Sequence, residues 1–203
     1  MDESKLSPMM KQYLAVKRTC EDKILFYRLG DFYEMFFDDA LTVSRELDLT
    51  LTGKVCGLPE RAPMCGVPFH SCDGYIAKLV KAGLKVAICE QVEDPATAKG
   101  IVERKVIKVI TPGTITLPDV LEETKNNFLV CIYKSGLGYG LAAADVSTGE
   151  LYAVSLTGVA AKTDLMNELS KYSPSEILHN SFFMSDKTVL SFIEHKFKCI
   201  TQP

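Results

Sequence analysis

The sequence lacks the long apolar segments that membrane insertion and export require. No run of about 18 apolar residues occurs in the 203-residue chain. The first twenty residues carry charges of both signs and contain no uninterrupted apolar stretch, which argues against a secretory signal. We therefore predict a cytoplasmic protein that makes no contact with a membrane.

An excess of positive charge is also missing. Residues 1–110 contain sixteen basic and sixteen acidic side chains, and residues 111–203 contain seven basic and ten acidic ones. A protein that binds DNA mainly by neutralising phosphates normally has a basic binding domain. Any contact of this chain with DNA is therefore expected to be local, or to depend on segments outside it.

Sequence motifs for metal and nucleotide binding are absent as well. The seven cysteines form no C-x-x-C pair, and the cluster of Cys65, His70 and Cys72 lacks the second half that a zinc site needs. The odd number of cysteines, several of them inside apolar runs, fits a reducing compartment. The nucleotide-binding sequence G-x-x-x-x-G-K-[ST] does not occur. We predict neither a bound metal nor bound ATP in this chain.

The first half of the chain alternates helical and strand patterns. Helices are predicted at residues 7–19, 31–47 and 73–82, and strands at 24–29, 84–90 and 104–111. Frequent glycines and prolines between residues 53 and 68 predict a long loop. Together these elements predict a small α/β domain with a mixed sheet over residues 1–110.

The second half begins after a linker. The turn sequence Thr111-Pro112-Gly113-Thr114 and an acidic stretch without sheet periodicity mark residues 111–123 as that linker. Beyond it the pattern predicts three strands, a helix, a fourth strand and a final helix, at 128–134, 139–146, 150–156, 164–172, 176–179 and 186–197. This order is typical of a ribonuclease-H-like sheet, whose last strand would be due where the chain stops. We predict an incomplete, truncated domain of this kind over residues 124–203, in a chain of α/β (α+β) class.

The segment Gly30-Asp31-Phe32-Tyr33-Glu34 allows two interpretations. Asp31 stands three residues before Glu34, as in the capping box of a helix, and Phe32 stands four residues before Phe36, as in a buried stripe. Alternatively, the ring of Phe32 and the carboxylate of Glu34 contact DNA. Spacing alone leaves both interpretations open.

Five segments resemble, in order and spacing, the mismatch-recognition domain of the MutS family of DNA mismatch-repair proteins. They are SPMM (7–10), FYRLGDFYEMFFDDA (26–40), PMCGVPFH (63–70), VAICEQVEDPATAKG (86–100) and VERKVIKVITPGT (102–114). The combination of FYRxGDFYE with EQxxDPxxxKG is highly specific. The second half resembles the family's connector domain more weakly, through its element order and the sequence DVSTGE (145–150).

The resemblance implies that the first half recognises mispaired or unpaired bases in duplex DNA. Phe32 would stack on a mispaired or unpaired base, Glu34 would hydrogen-bond to that base, and Tyr33 would point elsewhere. The implied ligand is duplex DNA with mismatches or small loops, and the implied partner is a MutL-type repair protein. The full-length family protein is a dimeric ATPase, so ATP and Mg²⁺ would bind elsewhere. This chain alone is expected to be monomeric and to lack catalytic residues.

Further contacts that position the DNA are expected from five residues in segments that resemble the family's DNA-facing loops: Lys54, Met64, Arg104, Lys105 and Lys108. A solvated strand face explains the basic residues equally well, and packing inside the domain explains the methionine. The protonation state of Glu34 also has two possibilities. A protonated carboxyl could donate to a ring nitrogen, whereas an ionised one could accept from the imino N–H of a displaced thymine.

Two other functions fit parts of the sequence. A ribonuclease-H-like sheet can present carboxylates for two-metal phosphoryl chemistry, and Asp145 lies at the end of a predicted strand. However, Glu150 is the one other acid nearby, and the Ser147-Thr148-Gly149 turn explains Asp145 as a turn residue. Alternatively, the second half is a protein–protein interaction module that has no DNA contact of its own.

Overall fold

A computed structural model describes residues 2–93, 98, 100–117, 121 and 125–203. The chain divides into two compact units, Met1–Ile110 and Thr111–Pro203, and each has its own sheet. Both combine helices with strands, so the predicted α/β class is confirmed. Parts of the predicted linker (118–120 and 122–124) and of the EQVEDPATAKG segment (94–97 and 99) lie outside the described residues. No helix in the described ranges is long and apolar enough to cross a membrane.

The first unit is built on a six-stranded mixed sheet. Its strands are β1 (Ile24–Leu29), β2 (Phe32–Phe36), β3 (Thr52–Lys54), β4 (Ala62–Pro68), β5 (Val86–Gln91) and β6 (Arg104–Ile110). Its α-helices are α1 (Pro8–Lys17), α2 (Phe37–Leu47) and α3 (Asp73–Lys81), and short 3-10 helices span Glu3–Lys5 and Phe69–Ser71. The strand order is β3-β4-β2-β1-β5-β6, in which β1 and β5 run parallel and the other described neighbours run antiparallel. The mixed sheet agrees with the prediction.

Helices cover both faces of this sheet. On one face, Tyr13 of α1 packs its ring edge-on against Tyr27 of β1 at 5.3 Å and against Phe36 of β2 at 4.8 Å, between ring centroids. On the other face, the thiol of Cys65 in β4 lies 3.6 Å from the carbonyl oxygen of Ala40 in α2. The two sheet faces are therefore covered by different helices, one by α1 and the other by α2 and its neighbour α3.

The predicted helix over residues 31–47 is wrong in its first part. Residues 32–36 form β2, and α2 begins only at Phe37, whose left-handed backbone (φ +53°) makes the abrupt change from strand to helix. The interpretation of Asp31 and Glu34 as a capping box is therefore wrong, because no helix begins there. Residues 53–68 were predicted to form a long loop, but they contain β4 and most of β3. Strand β4 pairs with β2 on one side and with β3 on the other.

The second unit contains a five-stranded sheet. Its elements are β7 (Phe128–Ser135), β8 (Gly138–Asp145), β9 (Glu150–Thr157), α4 (Ala161–Tyr172), β10 (Glu176–His179), α5 (Lys187–Lys196) and β11 (Ile200–Gln202), with a 3-10 helix over Ser181–Ser185. β7, β8 and β9 form an antiparallel meander, and β10 runs parallel to both β7 and β11. The strand order is β11-β10-β7-β8-β9, and the predicted succession of three strands, a helix, a strand and a helix along the chain is confirmed.

One expectation for this unit is wrong. The sequence pattern predicted that the chain stops before the last strand, but β11 lies within the chain and pairs with β10. Its three residues are too few to show a strand period, and its neighbours Lys198 and Cys199 give no turn signal. The core of the unit lies between α4, α5 and one face of the sheet, where Ile132, Leu165 and Ile193 are buried.

Candidate nucleic-acid interface

Phe32 is the first residue of β2 and lies at the end of the β1–β2 hairpin. Its side chain is 46% exposed, which is unusual for a phenylalanine in the middle of a sheet. The next residue, Tyr33, points to the opposite face and is buried, as strand alternation requires. The ring of Phe32 is therefore neither in the core nor in a flexible loop. It stands on a strand that is paired on both sides, to Leu29 and to Pro68.

The turn before Phe32 consists of Gly30 and Asp31. Gly30 has a φ of +57°, a left-handed conformation that glycine adopts without the penalty a side chain would bring. Both carbonyl oxygens of the turn accept hydrogen bonds, that of Gly30 from the Arg28 Nε at 2.6 Å and that of Asp31 from the Phe69 amide at 3.0 Å. The turn that sets the position of Phe32 is thus held at both residues.

Glu34 lies two residues after Phe32 and points to the same face of the sheet. Its Oε2 is 2.5 Å from the Nζ of Lys54 on β3, and the two side chains are 14% and 32% exposed. Gly66 of β4 lies directly opposite Glu34, where a Cβ would be 3.5 Å from the Glu34 Cγ and 3.2 Å from the Tyr33 carbonyl oxygen. The glycine thus leaves room beside the ion pair. Among the described residues, no hydrogen bond reaches Oε1 of Glu34.

The structure therefore brings together Phe32, Glu34 and Lys54, but not all of the residues named from the sequence. Lys105 and Lys108 are exposed on β6, at the other edge of the sheet. Sheet neighbours are about 4.8 Å apart, so β6 lies roughly 24 Å from the strand of Lys54. Lys105 also pairs with Glu103, at 2.9 Å between Nζ and Oε1.

Met64 and Arg104 belong to the inside of the first unit. Met64 lies opposite Phe36 and packs against the core under α1. Arg104 is buried, faces the Tyr27 ring and donates to the Arg28 carbonyl at 2.7 Å and to the Gln12 side chain at 3.0 Å. Arg104 thus has partners within the first unit, and its contact with DNA stays a prediction. The basic run of the sequence does not reveal which of its members points inward.

A contact network on the face opposite Phe32 has no signal in the sequence. The guanidinium of Arg28 lies 3.4 Å from the centroid of the Phe69 ring, and its Nη1 is 3.3 Å from Oε1 of Glu90. The hydroxyl of Tyr33 donates to the same carboxylate oxygen. Burial, followed by this bond to Glu90, raises the pKa of Tyr33 well above its ordinary value of 10. Nothing in their spacing indicates that Arg28 and Glu90, 62 residues apart, meet.

The cluster of Cys65, His70 and Cys72 has a structural explanation for each member. Cys65 is buried under α2, and its burial raises the pKa of the thiol to about 11. The ring of His70 packs edge-on against Phe69, and Cys72 precedes α3. Within the described ranges, no three histidine, cysteine or acidic side chains are arranged to hold a metal ion.

Asp145, the candidate for nuclease chemistry, forms the turn between β8 and β9. Its carboxylate accepts from the Ser147 amide at 2.8 Å and hydroxyl at 2.6 Å, from the Asn127 amide at 2.9 Å and from the Asn126 side chain at 3.0 Å. Burial alone would raise the pKa of Asp145, but the bonds from Ser147 and Asn127 outweigh it and lower the pKa to about 2. The acid holds the turn, and its nearby acid Glu150 is exposed.

The face of the second sheet that lies opposite the core exposes several apolar side chains. Cys131 and Tyr133 of β7 and Leu151 of β9 are exposed on the face opposite the core. Ala142 of β8 and Ala153 of β9 lie between them. This face is largely apolar, and exposed apolar patches are a property of surfaces that bind other proteins.

Comparisons with known proteins match most of the chain. Residues 7–119 match the family model of MutS domain I, and residues 127–202 match that of MutS domain II. A protein from Ruminiclostridium cellulolyticum is 58% identical over 95% of this chain, and one from Acetivibrio thermocellus is 56% identical over the same share. A protein from Alkaliphilus oremlandii is 54% identical over 94% of the chain. Each of the three is named DNA mismatch repair protein MutS, and the chain spans 22% of the length of each.

Proposed function

The chain belongs to the MutS family of DNA mismatch-repair proteins, and on that premise we propose that its first unit recognises mispaired or unpaired bases in duplex DNA. The observation that carries the proposal is the exposed ring of Phe32 on a strand that is paired on both sides, with the carboxylate of Glu34 beside it on the same face. An apolar ring can insert where a base is weakly stacked, and a neighbouring hydrogen-bonding group can bind a base whose hydrogen-bonding edge is unpaired.

Phe32 acts as a wedge. An aromatic ring inserted from the minor-groove side unstacks a base step and kinks the duplex, at a cost of a few kcal/mol. The cost is smaller where pairing is already defective, so selectivity arises from the deformability of the DNA and not from its base sequence. Stacking on the ring stabilises the complex by about 1–3 kcal/mol per base and tolerates any base.

Glu34 bonds to the base that Phe32 displaces. A carboxylate near phosphates is repelled, but Lys54 balances its charge at 2.5 Å. The lysine holds Oε2, and Oε1 remains available for the base. Since a carboxylate in an ion pair is purely an acceptor, we propose that Oε1 accepts from a base N–H, such as the imino group of a displaced thymine. In a correct pair that N–H is already engaged.

The exposed lysines Lys105 and Lys108 of β6 are proposed to contact the DNA backbone. Such contacts fix the orientation of the duplex without reading its sequence. The zero net charge of residues 1–110 fits a small number of phosphate contacts. The remaining electrostatic attraction would then come from other parts of a longer protein.

For the second unit we propose the role of a connector that binds other proteins. Its exposed apolar face, which includes Tyr133 and Leu151, favours this role over nuclease activity, because Asp145 is engaged in a turn. A MutL-type repair protein is the proposed partner. We propose dimerisation, ATP and Mg²⁺ binding, and the use of mismatched duplexes as substrates only for a protein of the relatives' full length, of which this chain spans 22%.

The wedge is tested with Phe32→Ala in the full-length protein. We expect the ratio of affinities for mismatched over matched duplex to fall by about 5- to 150-fold, because one stacked base is lost. Dissociation constants would be measured for a matched duplex, a G·T mismatch and a one-base loop at two salt concentrations. Leu41→Ala is a matched control, since Leu41 is also 46% exposed but lies on α2. An unchanged ratio in Phe32→Ala would refute the wedge.

A further inference from the structure

We propose that Arg28 is a positioning residue that locks the Gly30–Asp31 turn, so that the ring of Phe32 is presented to DNA in one fixed orientation. The inference rests on the proposed function of Phe32 and adds to it a residue that touches neither the base nor the ring. Arg28 pairs with Tyr33 across the β1–β2 ladder, so its side chain points to the face opposite Phe32.

Three contacts join Arg28 to the turn and its surroundings. The Nε donates to the Gly30 carbonyl at 2.6 Å, which fixes the first residue of the turn. The guanidinium plane lies on the Phe69 ring at 3.4 Å, and the amide of Phe69 donates to the Asp31 carbonyl at 3.0 Å. One side chain thus holds one turn carbonyl directly and supports the residue that holds the other.

Arg28 is itself fixed from behind. Its Nη1 lies 3.3 Å from Oε1 of Glu90 on β5, and the hydroxyl of Tyr33 donates to the same oxygen. Glu90 is partly buried, and its strand β5 pairs with β1 in the middle of the sheet. The network therefore connects the hairpin end to an interior strand of the six-stranded sheet.

The physical consequence is preorganisation. A hairpin end that moves must be ordered when the ring enters the base stack, and that ordering opposes binding. Fixing the backbone of one residue corresponds to a factor of about 5 to 30 in an equilibrium constant. A turn that is already ordered does not lose this conformational freedom on binding. The gain in affinity applies only to DNA into which the ring is inserted. Arg28 should therefore increase mismatch preference and leave matched-duplex affinity unchanged.

Lysine cannot replace arginine in this network. The guanidinium is planar and directs several N–H groups in fixed directions, so it bonds to the Gly30 carbonyl and to Glu90 while stacking on Phe69. A lysine ammonium is a single point that retains the charge but cannot make these contacts together. Arg28→Lys thus removes the lock and keeps the charge.

The test is a double-mutant cycle in the full-length protein, with Arg28→Lys, Phe32→Ala and the double variant. Arg28→Lys should lower the mismatched-over-matched affinity ratio by about 5- to 30-fold, with little change for matched duplex. In the Phe32→Ala background the same substitution should change nothing, because there is no ring to position. Arg45→Lys serves as the control, since Arg45 is exposed on α2 and contacts its neighbour Glu46.

A second variant covers the case in which Arg28→Lys does not fold. Glu90→Gln keeps a hydrogen-bond acceptor for Tyr33 but weakens the hold on Arg28, so it should lower the same ratio by a smaller factor. Thermal unfolding would verify that both variants are folded at the assay temperature.

Three results would overturn the inference. The first is an unchanged ratio in folded Arg28→Lys and Glu90→Gln. The second is equal weakening of matched and mismatched duplexes by Arg28→Lys, which would make Arg28 a general DNA contact and not a positioning residue. The third is an equal loss with and without the Phe32 ring. If Phe32→Ala itself has no effect on the ratio, the proposed function fails instead, and the two failures are thereby distinguished.

Discussion

The ion pair between Glu34 and Lys54 allows the most detailed prediction. We consider Lys54→Met, which keeps the length and packing of the side chain and removes its charge. The substitution leaves a carboxylate that is only 14% exposed without its partner. Because the Glu34 carboxylate is mostly buried and cannot be fully hydrated, the loss of stability is expected to exceed the loss from breaking a surface ion pair.

The magnitude follows from the exposure of the two side chains. Exposed ion pairs contribute about 0.2–1 kcal/mol, whereas removal of one partner of a fully buried pair costs about 3–5 kcal/mol. The pair of Glu34 and Lys54 lies between these limits, so Lys54→Met should lower the free energy of unfolding by about 1–3 kcal/mol. Glu34→Gln should cost less, about 0.5–1 kcal/mol, because its amide still bonds to the lysine.

The assay is urea unfolding of the wild type, both single variants and the double variant. We expect a coupling energy of about 1–2 kcal/mol for this pair. The pair of Glu103 and Lys105 is the matched control, because its side chains are 52% and 63% exposed and its atoms are 2.9 Å apart. Glu103→Gln and Lys105→Met should show coupling of at most about 0.5 kcal/mol.

Additive single variants of Glu34 and Lys54, or coupling no larger than in the control pair, would refute this reasoning. DNA binding gives a second measure. Lys54→Met should lower the preference for mismatched duplex, because an unbalanced carboxylate at Glu34 is repelled by phosphates near the base. Equal affinity ratios in Lys54→Met and wild type would show that the pair serves folding alone.

Two further predictions concern other parts of the chain. Lys105→Met and Lys108→Met should weaken matched and mismatched duplexes alike and reduce the slope of log affinity against log salt by about 1 each, measured in full-length protein. A loss confined to mismatched duplex would show that these lysines act at the base. Because the pKa of Asp145 is lowered, its ionised carboxylate stabilises the fold fully at pH values above the ordinary pKa of 3.8. This stabilisation is lost as the pH falls through about 2. Asp145→Asn should therefore cost at most about 2 kcal/mol in urea unfolding near neutral pH, with a difference that shrinks toward pH 2; a constant difference would contradict this account.

The second unit is the part of the fold that local sequence signals predicted well. Strand β10 has the predicted bounds, and the meander of β7, β8 and β9 follows from tight turns at Gly136 and at Ser147-Thr148-Gly149. These signals are local because each turn joins strands that pair with each other. The extra strand β11 pairs with a strand more than twenty residues away, so nothing near it in the sequence indicates its partner.

The site itself was predicted only in part. Phe32 and Phe36, four residues apart, share a face in a strand and also in a helix, so their spacing cannot decide between the two. Pairing with β4, some thirty residues later, decides for the strand. The partner of Glu34 is equally non-local, since Lys54 reaches it only because β4 and β3 follow β2 in the sheet. The sequence identified the lysine but assigned it to DNA.

The two-residue turn of the β1–β2 hairpin has a consequence for how this surface can vary among relatives. A loop that gained or lost one residue would exchange the directions of Phe32 and Tyr33, since neighbours along a strand face opposite ways. A phenol would then emerge where an apolar ring now stands, and the apolar ring would sit against the acid of Glu90. The side chain that faces a base therefore depends on whether the loop has an even or an odd number of residues. A single insertion would replace Phe32 by Tyr33 on that face, even where the sequence of the loop itself can vary.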